Sequence, residues 1–161
     1  NGQLEGLTVA ASAYSRALSN STASNEYDVL LDVLAQLASR EFVASGIMMN
    51  PVDWYNLLRA KDTDGAYILP DAVRFGVTPP QVDGVPIIAN TAIQSGDFLV
   101  ANFAQMATLY DRRGVNVRFY DQNEDDAIKN LVTIVIEGRL ALPIYLPTAG
   151  VYGDFDSTIV S

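Results

Sequence analysis

The stretch that most constrains the fold is Ala127–Tyr145, the longest apolar run of the chain, which nevertheless contains Glu137 and Arg139. Residues two apart on a strand face the same side, so one face of this strand carries both charges. Either that face meets solvent, or the pair is buried and satisfied by something else, such as another chain. The two charges also break the run below the roughly 18 apolar residues of a membrane span, so we expect no membrane partner.

Composition excludes several classes of chemistry. The 161 residues, of which 49% are apolar and 18% charged, fit one globular domain. The absence of cysteine excludes disulfides and thiolate nucleophiles, and the absence of histidine removes the usual general base and a common metal ligand. The net charge of −9 should repel nucleic acid over most of the surface. These features argue against an enzyme, and we expect no cofactor.

Two helices are predicted in the first half. Asn25 caps a helix over Asn25–Ser39, with carboxylates in its first turn. The predicted apolar face of this helix consists of Tyr27, Leu30, Leu31, Leu34, Leu37 and Ala38. A second helix starts at Asn50-Pro51 and ends near Lys61, and its Trp54 is predicted to lie in the core.

The remaining segments alternate between predicted strands and turns. The fold class is therefore α+β, with a mixed central sheet flanked by helices. The predicted strands are Gly46–Asn50, Ala66–Leu69, Gly84–Ala89, Asp97–Phe103, Met106–Tyr110, a half-buried strand over Val115–Tyr120, Ala127–Tyr145 and Val151–Phe155. The predicted turns and loops are Asp62–Gly65, an exposed excursion over Pro70–Gly84, Arg112–Gly114 and an acidic link over Asp121–Asp126.

Three groups of carboxylates are candidates for chemistry. Asp62-Thr63-Asp64-Gly65 resembles the start of a calcium loop, but the twelfth position is Val73 where such a loop needs Glu, which favours a plain turn. The cluster Asp121, Glu124, Asp125 and Asp126 fits a hard cation, a solvated face or a basic patch on a neighbour. Asp32 and Glu41 are a carboxylate pair that nothing raises above chance as a glycosidase site.

A small basic spot stands out on this acidic chain. It consists of Arg112, Arg113 and Arg118. We interpret it as half of a subunit contact that faces the acidic cluster Glu124, Asp125 and Asp126 of another copy. Glu137 and Arg139 are candidate contacts at the same kind of surface.

Seven segments of the chain form an ordered series. They are Asn1–Leu7 (NGQLEGL), Ser45–Trp54 (SGIMMNPVDW), Lys61–Ile68 (KDTDGAYI), Gly84–Ile88 (GVPII), Asp111-Arg112, Asn130–Ala141 (NLVTIVIEGRLA, ending in EGRLA) and Pro147–Ala149 (PTA). In this order they resemble segments of the tailed-phage major capsid proteins of the HK97-fold family. The resemblance implies a structural subunit of an icosahedral bacteriophage capsid that self-assembles around double-stranded DNA. It also implies a location in the virion capsid, and in the host cytoplasm during assembly.

The resemblance further implies a domain plan. Residues 1–24 lead in from the peripheral (P) domain, 25–126 form the axial (A) domain, 127–145 form a P-domain strand, and 146–161 form a returning strand and tail. The implied partners are copies of the same protein in pentamers and hexamers, with packaged DNA only an indirect partner. The N-terminal arm, extended loop and spine helix of the family are missing, so we expect a fragment that does not form shells alone. In such a fragment Glu137 and Arg139 should be unusually exposed, along with apolar surface around Leu131–Ile136.

Some members of the family cross-link their subunits by an isopeptide bond between a lysine of one subunit and an asparagine of another. Asn130 matches that acceptor and Glu137 the assisting carboxylate. Their spacing of seven puts them on opposite faces of an ideal strand, so a bulge or a neighbouring subunit would be needed. Two other functions stay open: an encapsulin-like shell protein, and a small carboxylate-using α+β enzyme or ligand-binding domain.

Overall fold

The computed structural model describes residues 6–15, 25–61, 65–67, 81–120 and 132–155. They fall into two compact units. The core unit takes its described residues from before residue 108 and after residue 143. The ribbon unit consists of the described residues between 108 and 143.

Helix α1 of the core unit is a single turn, Leu7–Ala10, and helix α2 spans Glu26–Ser39. As predicted, Asn25 caps α2, because its side-chain oxygen accepts from the Asp28 N–H at 3.0 Å. The predicted apolar face was wrong in part. Ala38 is exposed, and the residues that point inward are Val29, Leu30, Asp32, Val33, Gln36 and Leu37. The face is displaced because Asp32 and Gln36 point inward and form hydrogen bonds with the segment Ala13–Ser15, which periodicity in apolar residues does not detect.

Helix α3 spans Pro51–Arg59 and begins as predicted, with Asn50 as N-cap and proline at the first position. Trp54 is 9% exposed and belongs to the main core cluster, which confirms its predicted core role. Buried residues of α2 and α3 join the same cluster, together with Ile47, Phe98 and Val100 of the sheet. Both helices therefore pack on one face of the sheet.

The sheet has six strands in the order β1-β8-β5-β2-β4-β3. Their bounds are β1 Ser12–Ala13, β2 Gly46–Met49, β3 Gln81–Val82, β4 Val85–Ala89, β5 Asp97–Ala101 and β8 Gly150–Asp154. The pairs β1–β8 and β2–β4 are parallel and the others antiparallel, so the sheet is mixed as predicted. Four consecutive residues of β5, Phe98 to Ala101, are buried, so both faces of this inner strand are covered. The predicted final strand pairs with β1 and β5.

The described residues depart from the predictions at three places near turns. In the predicted strand Met106–Tyr110, Met106 ends a one-turn helix, α4 (Phe103–Met106), and only Tyr110 belongs to a strand, because the Asn102 side chain accepts from the Gln105 N–H and starts a helix. The described end of the predicted excursion is a hairpin, in which Asp83 and Gly84 have φ of 50° and 77° and join β3 to β4. In the predicted strand Ala66–Leu69, Tyr67 forms an isolated bridge with Lys61, while residues 68 and 69 lie outside the described residues.

The ribbon unit is a long antiparallel pair, β6 (Tyr110–Tyr120) and β7 (Thr133–Ala141). The predicted turn at Arg112–Gly114 was wrong, since these residues lie inside β6. The 11 residues of β6 pair with the 9 of β7 because the register shifts between Asp111 and Arg113 and again between Arg113 and Asn116. These shifts are bulges, which insert extra residues in one strand and bend it.

The predicted half-burial of Val115–Tyr120 was also wrong: apart from Asn116, every residue of β6 is exposed.

Among the described residues no helix is long and apolar enough to cross a membrane. The predictions for Asp62–Asp64, for 70–80 and for 121–131 lie outside the described residues.

Candidate functional site

The ribbon unit holds the described charges that were predicted to contact other subunits, and its register sorts its residues by face. Directly opposed residues of an antiparallel pair lie on the same side. Val117 opposes Ile136 and Phe119 opposes Ile134, which makes one face apolar. On the other face Asn116 opposes Glu137, and Arg118 opposes Val135. The ribbon is therefore amphipathic.

The apolar face is open in this chain. The exposed fractions are 46% for Val117, 68% for Phe119, 56% for Ile134 and 67% for Ile136. Four large apolar side chains side by side on a two-stranded ribbon form the kind of contiguous patch that soluble proteins normally cover. This patch is therefore a candidate contact surface.

Glu137 is the centre of the charged face. Arg113 Nη1 lies 3.8 Å from Glu137 Oε2, and both side chains are close to half exposed, at 42% and 48%. An exposed pair of this kind contributes only about 0.2–1 kcal/mol to stability. The expectation that Glu137 and Arg139 would be exposed is confirmed. The pair therefore does little for the fold, and its charges remain available to a partner.

Arg118 flanks Glu137 on the same face. Its Nη1 donates to the Tyr120 hydroxyl at 3.5 Å. This hydrogen bond, with a smaller contribution from the charge of Glu137, raises the pKa of the Arg118 guanidinium, which stays charged. Arg118 is thus a permanently charged group on the charged face of the ribbon.

Positive charge exceeds negative charge on the described ribbon. Arg139 lies opposite Arg113, a like-charge arrangement that is unfavourable without a nearby anion. The arginines of the two strands are Arg112, Arg113, Arg118 and Arg139, and their carboxylates are Asp111 and Glu137. The remaining positive charge is compatible with the predicted contact to a carboxylate-bearing partner, which stays a prediction.

The other predicted site residues are not brought together. Glu124, Asp125, Asp126 and Asn130 lie outside the described residues, so the acidic contact and the cross-link stay predictions. Asp32 is buried and accepts a hydrogen bond from the Tyr14 hydroxyl, whereas Glu41 is exposed beyond the end of α2. The two carboxylates therefore do not form a catalytic pair. No group of metal-ligating side chains occurs in the part of the chain that the structure describes.

Besides the contact of Asp32, sequence reasoning missed the hydrogen bonds of a buried carboxylate, Asp53, and a half-buried one, Asp97. Asp53 accepts from the Ser95 hydroxyl and the Gly96 N–H, both at 2.8 Å, and so ties the start of α3 to the turn before β5. Asp97 accepts from the Tyr152 hydroxyl at 2.6 Å. Each partner is more than 40 residues away in sequence, and the only local signal was Asp53 in a first helical turn, where its charge also fits the helix dipole.

Comparison with known proteins gives consistent similarities. Residues 1–155 match the family described as the phage capsid family. The chain is 37% identical over 154 residues to the major capsid protein of Enterobacteria phage HK97, an alignment that covers 96% of this chain and 39% of that protein. The chain therefore spans about two fifths of the length of this curated relative.

Solved structures share the fold. A structure from Gordonia phage Cozz superposes with a TM-score of 0.71 at 18% identity, covering 95% of this chain and 52% of that one. The capsid of an empty GTA particle gives a TM-score of 0.66 at 17% identity, with 83% and 48% covered. Microbacterium phage Oxtober96 gives 0.67 at 16% identity, with 81% and 50% covered. At these identities the likeness concerns the fold alone.

Proposed function

The chain belongs to the phage capsid family, and from that membership we propose that it is part of a structural subunit of an icosahedral capsid that encloses double-stranded DNA. The protein acts by assembling, and it carries out no enzymatic turnover. Its place is the virion capsid, with assembly in the host cytoplasm. The proposal combines the family match with a surface suited to contact between copies.

The single observation that carries the proposal is the ribbon unit, which is open on both of its faces. The apolar face exposes Phe119, Ile134 and Ile136 by more than half, which is unfavourable for a chain that works alone. Apolar cores with charged rims are typical of specific protein–protein contacts. The ribbon supplies both kinds of surface on opposite sides.

The proposed partners are other copies of the same protein, in pentamers and hexamers. Arg112, Arg113, Arg118, Glu137 and Arg139 contact neighbouring subunits in this proposal, and the acidic segment Glu124–Asp126 of another copy supplies the opposite charge. A net charge of −9 disfavours direct binding of the packaged DNA, so DNA is an indirect partner. No membrane takes part.

We also propose the domain plan given above, in which residues 25–126 form the axial domain and 127–145 a strand of the peripheral domain. The six-stranded mixed sheet of the core unit supports a separate axial domain, but two of its strands, β1 and β8, come from outside the range 25–126. Strand β6, at the end of the axial range, pairs along its length with β7 of the peripheral range. This pairing makes the ribbon the link between the two proposed domains.

The alternatives are not favoured. The family match and the HK97 relative point to phage capsids rather than to a cargo-enclosing shell protein or a small carboxylate-using enzyme. The buried carboxylate Asp53 and the half-buried carboxylate Asp97 hold segments of the fold through hydrogen bonds. Neither of them is free for acid–base chemistry.

Assembly of the complete polypeptide that carries this chain tests the proposal. After expression and lysis, we expect most of it to sediment as large particles of uniform size, which light scattering measures directly. The proposal is wrong if the complete, folded polypeptide remains a monomer or small oligomer at every salt concentration tested. A cargo-enclosing shell protein would be distinguished by a second protein recovered inside the particles.

A further inference from the structure

The segment that ends at Ser15 is docked in a groove built by distant parts of the core unit. Strand β1 pairs in parallel with β8 over two residues, Ser12 with Val151 and Ala13 with Tyr152. The Tyr14 N–H continues this pairing by donating to the Tyr152 carbonyl at 2.8 Å. Beyond these bonds, side chains of α2 hold the segment.

Gln36 binds the backbone of the segment through both the oxygen and the nitrogen of its side-chain amide. Its Oε1 accepts from the Ser15 N–H at 3.1 Å, and its Nε2 donates to the Ala13 carbonyl at 3.4 Å. One glutamine amide thus replaces a neighbouring strand for this stretch of backbone. Such contacts recognise an extended chain whatever its side chains are.

The side chain of Tyr14 has a site of its own. Its hydroxyl donates to Asp32, which lies one turn from Gln36 on the same face of α2. Its ring meets Phe98 edge to face, with centroids 5.9 Å apart and planes at 79°. A Cβ on Gly153 would lie 2.8 Å from the Tyr14 Cβ, so a glycine is needed there for the tyrosine to fit.

The groove is buried but the segment in it is not. Asp32 and Gln36 are 2% and 3% exposed, whereas none of residues 6–15 is buried, including all of α1. Apart from Tyr14, which packs against the core cluster, Ser12–Ser15 has only a two-residue strand pair and no fully buried residue, and such segments belong to the low-stability end of a structure. Its backbone is held by hydrogen bonds that water can replace when the segment leaves.

We propose that Ser12–Ser15 is a latch strand, which detaches from a tyrosine-reading groove formed by Asp32, Gln36, Phe98 and Gly153 while the rest of the core unit stays folded. The groove takes an extended peptide with tyrosine at its third position. Its occupant in the closed state is this segment of the same chain. The latch does not require assembly into a shell, so a failure of the proposed function leaves it intact.

Native-state hydrogen exchange of this chain tests the latch. We expect the amides of Tyr14 and Ser15 to exchange at least about tenfold faster than those of β5, which open only with the whole core unit. The substitution Tyr14→Phe removes the hydroxyl that Asp32 accepts and should speed exchange at both positions by about a further tenfold. The exchange rates of the β5 amides should change by a much smaller factor.

The matched control is Tyr55→Phe, which removes a hydroxyl from a side chain on α3 that is 64% exposed. This variant should leave exchange at Tyr14 and Ser15 unchanged. Equal exchange rates at Tyr14, Ser15 and β5 in the unmodified chain would overturn the proposal, because the segment would then open only by global unfolding. That comparison needs no variant, so it holds even if Tyr14→Phe does not fold.

Discussion

Glu41 is a residue in which backbone geometry conflicts with side-chain type. It follows the end of α2 with φ of 64°. Its N–H donates to the Ala38 carbonyl at 2.9 Å, and the Phe42 N–H donates to the Leu37 carbonyl at 3.1 Å. This is the Schellman arrangement, whose left-handed position is usually glycine. Phe42 also packs against the core cluster that contains Leu37, so the hydrophobic contact of the motif is present.

We therefore expect Glu41→Gly to raise the free energy of unfolding by about 0.5–1 kcal/mol, because glycine adopts positive φ without strain. The reverse change, Gly84→Ala at φ of 77°, should lower it by a similar amount. Urea denaturation followed by circular dichroism measures both. A loss of stability in Glu41→Gly would show that the glutamate side chain contributes more than its backbone strain costs.

Tyr152 gives stability an alkaline limit. The hydrogen bond to Asp97, together with burial and the nearby negative charges, raises the pKa of Tyr152 from 10.0 to about 12. A raised pKa means that the folded state favours the protonated phenol. Its contribution is complete below pH of about 10 and is lost as the pH rises through about 12.

Tyr152→Phe should accordingly destabilise the chain at pH 8, and the difference from the unmodified chain should shrink as the pH approaches about 12. Urea midpoints of the two proteins at several alkaline pH values give this difference. Asp97→Asn is the companion variant, because a neutral acceptor raises the pKa less. A difference that stays constant across this range would contradict the assignment.

At the scale of elements, the sequence predicted those features that depend on neighbouring residues, such as the starts of helices. Asn25 and Asn50 cap their helices as expected, since an N-cap depends on the residues that follow within one turn. The inward orientation of Asp32 could not be predicted, because its partner Tyr14 is 18 residues away. The same holds for β6, in which Arg112-Arg113-Gly114 has turn composition but is held in a strand by pairing with β7.

Two glycines in strands differ in how closely other atoms pack around them. A Cβ on Gly153 in β8 would lie 2.7 Å from Phe98 Cζ and 2.8 Å from Tyr14 Cβ, while nothing lies within 4 Å of one on Gly114 in β6. We expect Gly153→Ala to lower the free energy of unfolding by about 1–3 kcal/mol through overpacking. Gly114→Ala is the control and should change it by less than about 0.5 kcal/mol. Thermal unfolding of both variants measures these changes, and equal melting temperatures of the two variants would contradict the close packing around Gly153.

At the scale of the whole molecule, the sequence predicted the mixed α+β fold and the exposure of Glu137 and Arg139. It also predicted exposed apolar surface around Leu131–Ile136, and Ile134 and Ile136 are both more than half exposed. The exposure of Val117 and Phe119 on the facing strand was not predicted, since that strand was expected to be half-buried. Alternation in Val115, Val117 and Phe119 indicates which residues share a face, but not whether anything covers that face within the chain. What covers an element is a property of the assembled molecule.

A single charge on the apolar face should separate folding from assembly. Ile136 is 67% exposed, so Ile136→Asp should change the stability of this chain by no more than about 1 kcal/mol, the scale of one cross-strand pair. In the complete polypeptide it should reduce the yield of large particles at least about tenfold, since it places a charge in a contact. Sucrose gradients measure that yield.

Val43→Asp is the control for that experiment, because Val43 is an apolar residue of the core unit that is 79% exposed. It should assemble almost as well as the unmodified protein. If Ile136→Asp assembles equally well, the apolar face of the ribbon is not a subunit contact.

Cross-linking through Asn130 and Glu137 has its own test. The Glu137 side chain is 48% exposed and can be reached by a neighbouring subunit. If the bond forms, a denaturing gel of assembled particles should show covalent multimers, and Glu137→Gln should reduce them strongly while particles still form. Subunits that all migrate as monomers would rule the bond out.

We propose that this chain belongs to a subunit that builds a closed shell from copies of itself. The most direct test is a cryo-electron-microscopy map of particles formed by the complete polypeptide. We predict icosahedral shells in which the core unit fits the density of each subunit and the ribbon contacts an adjacent copy. Particles without icosahedral symmetry, or a map in which solvent surrounds both faces of the ribbon, would contradict it.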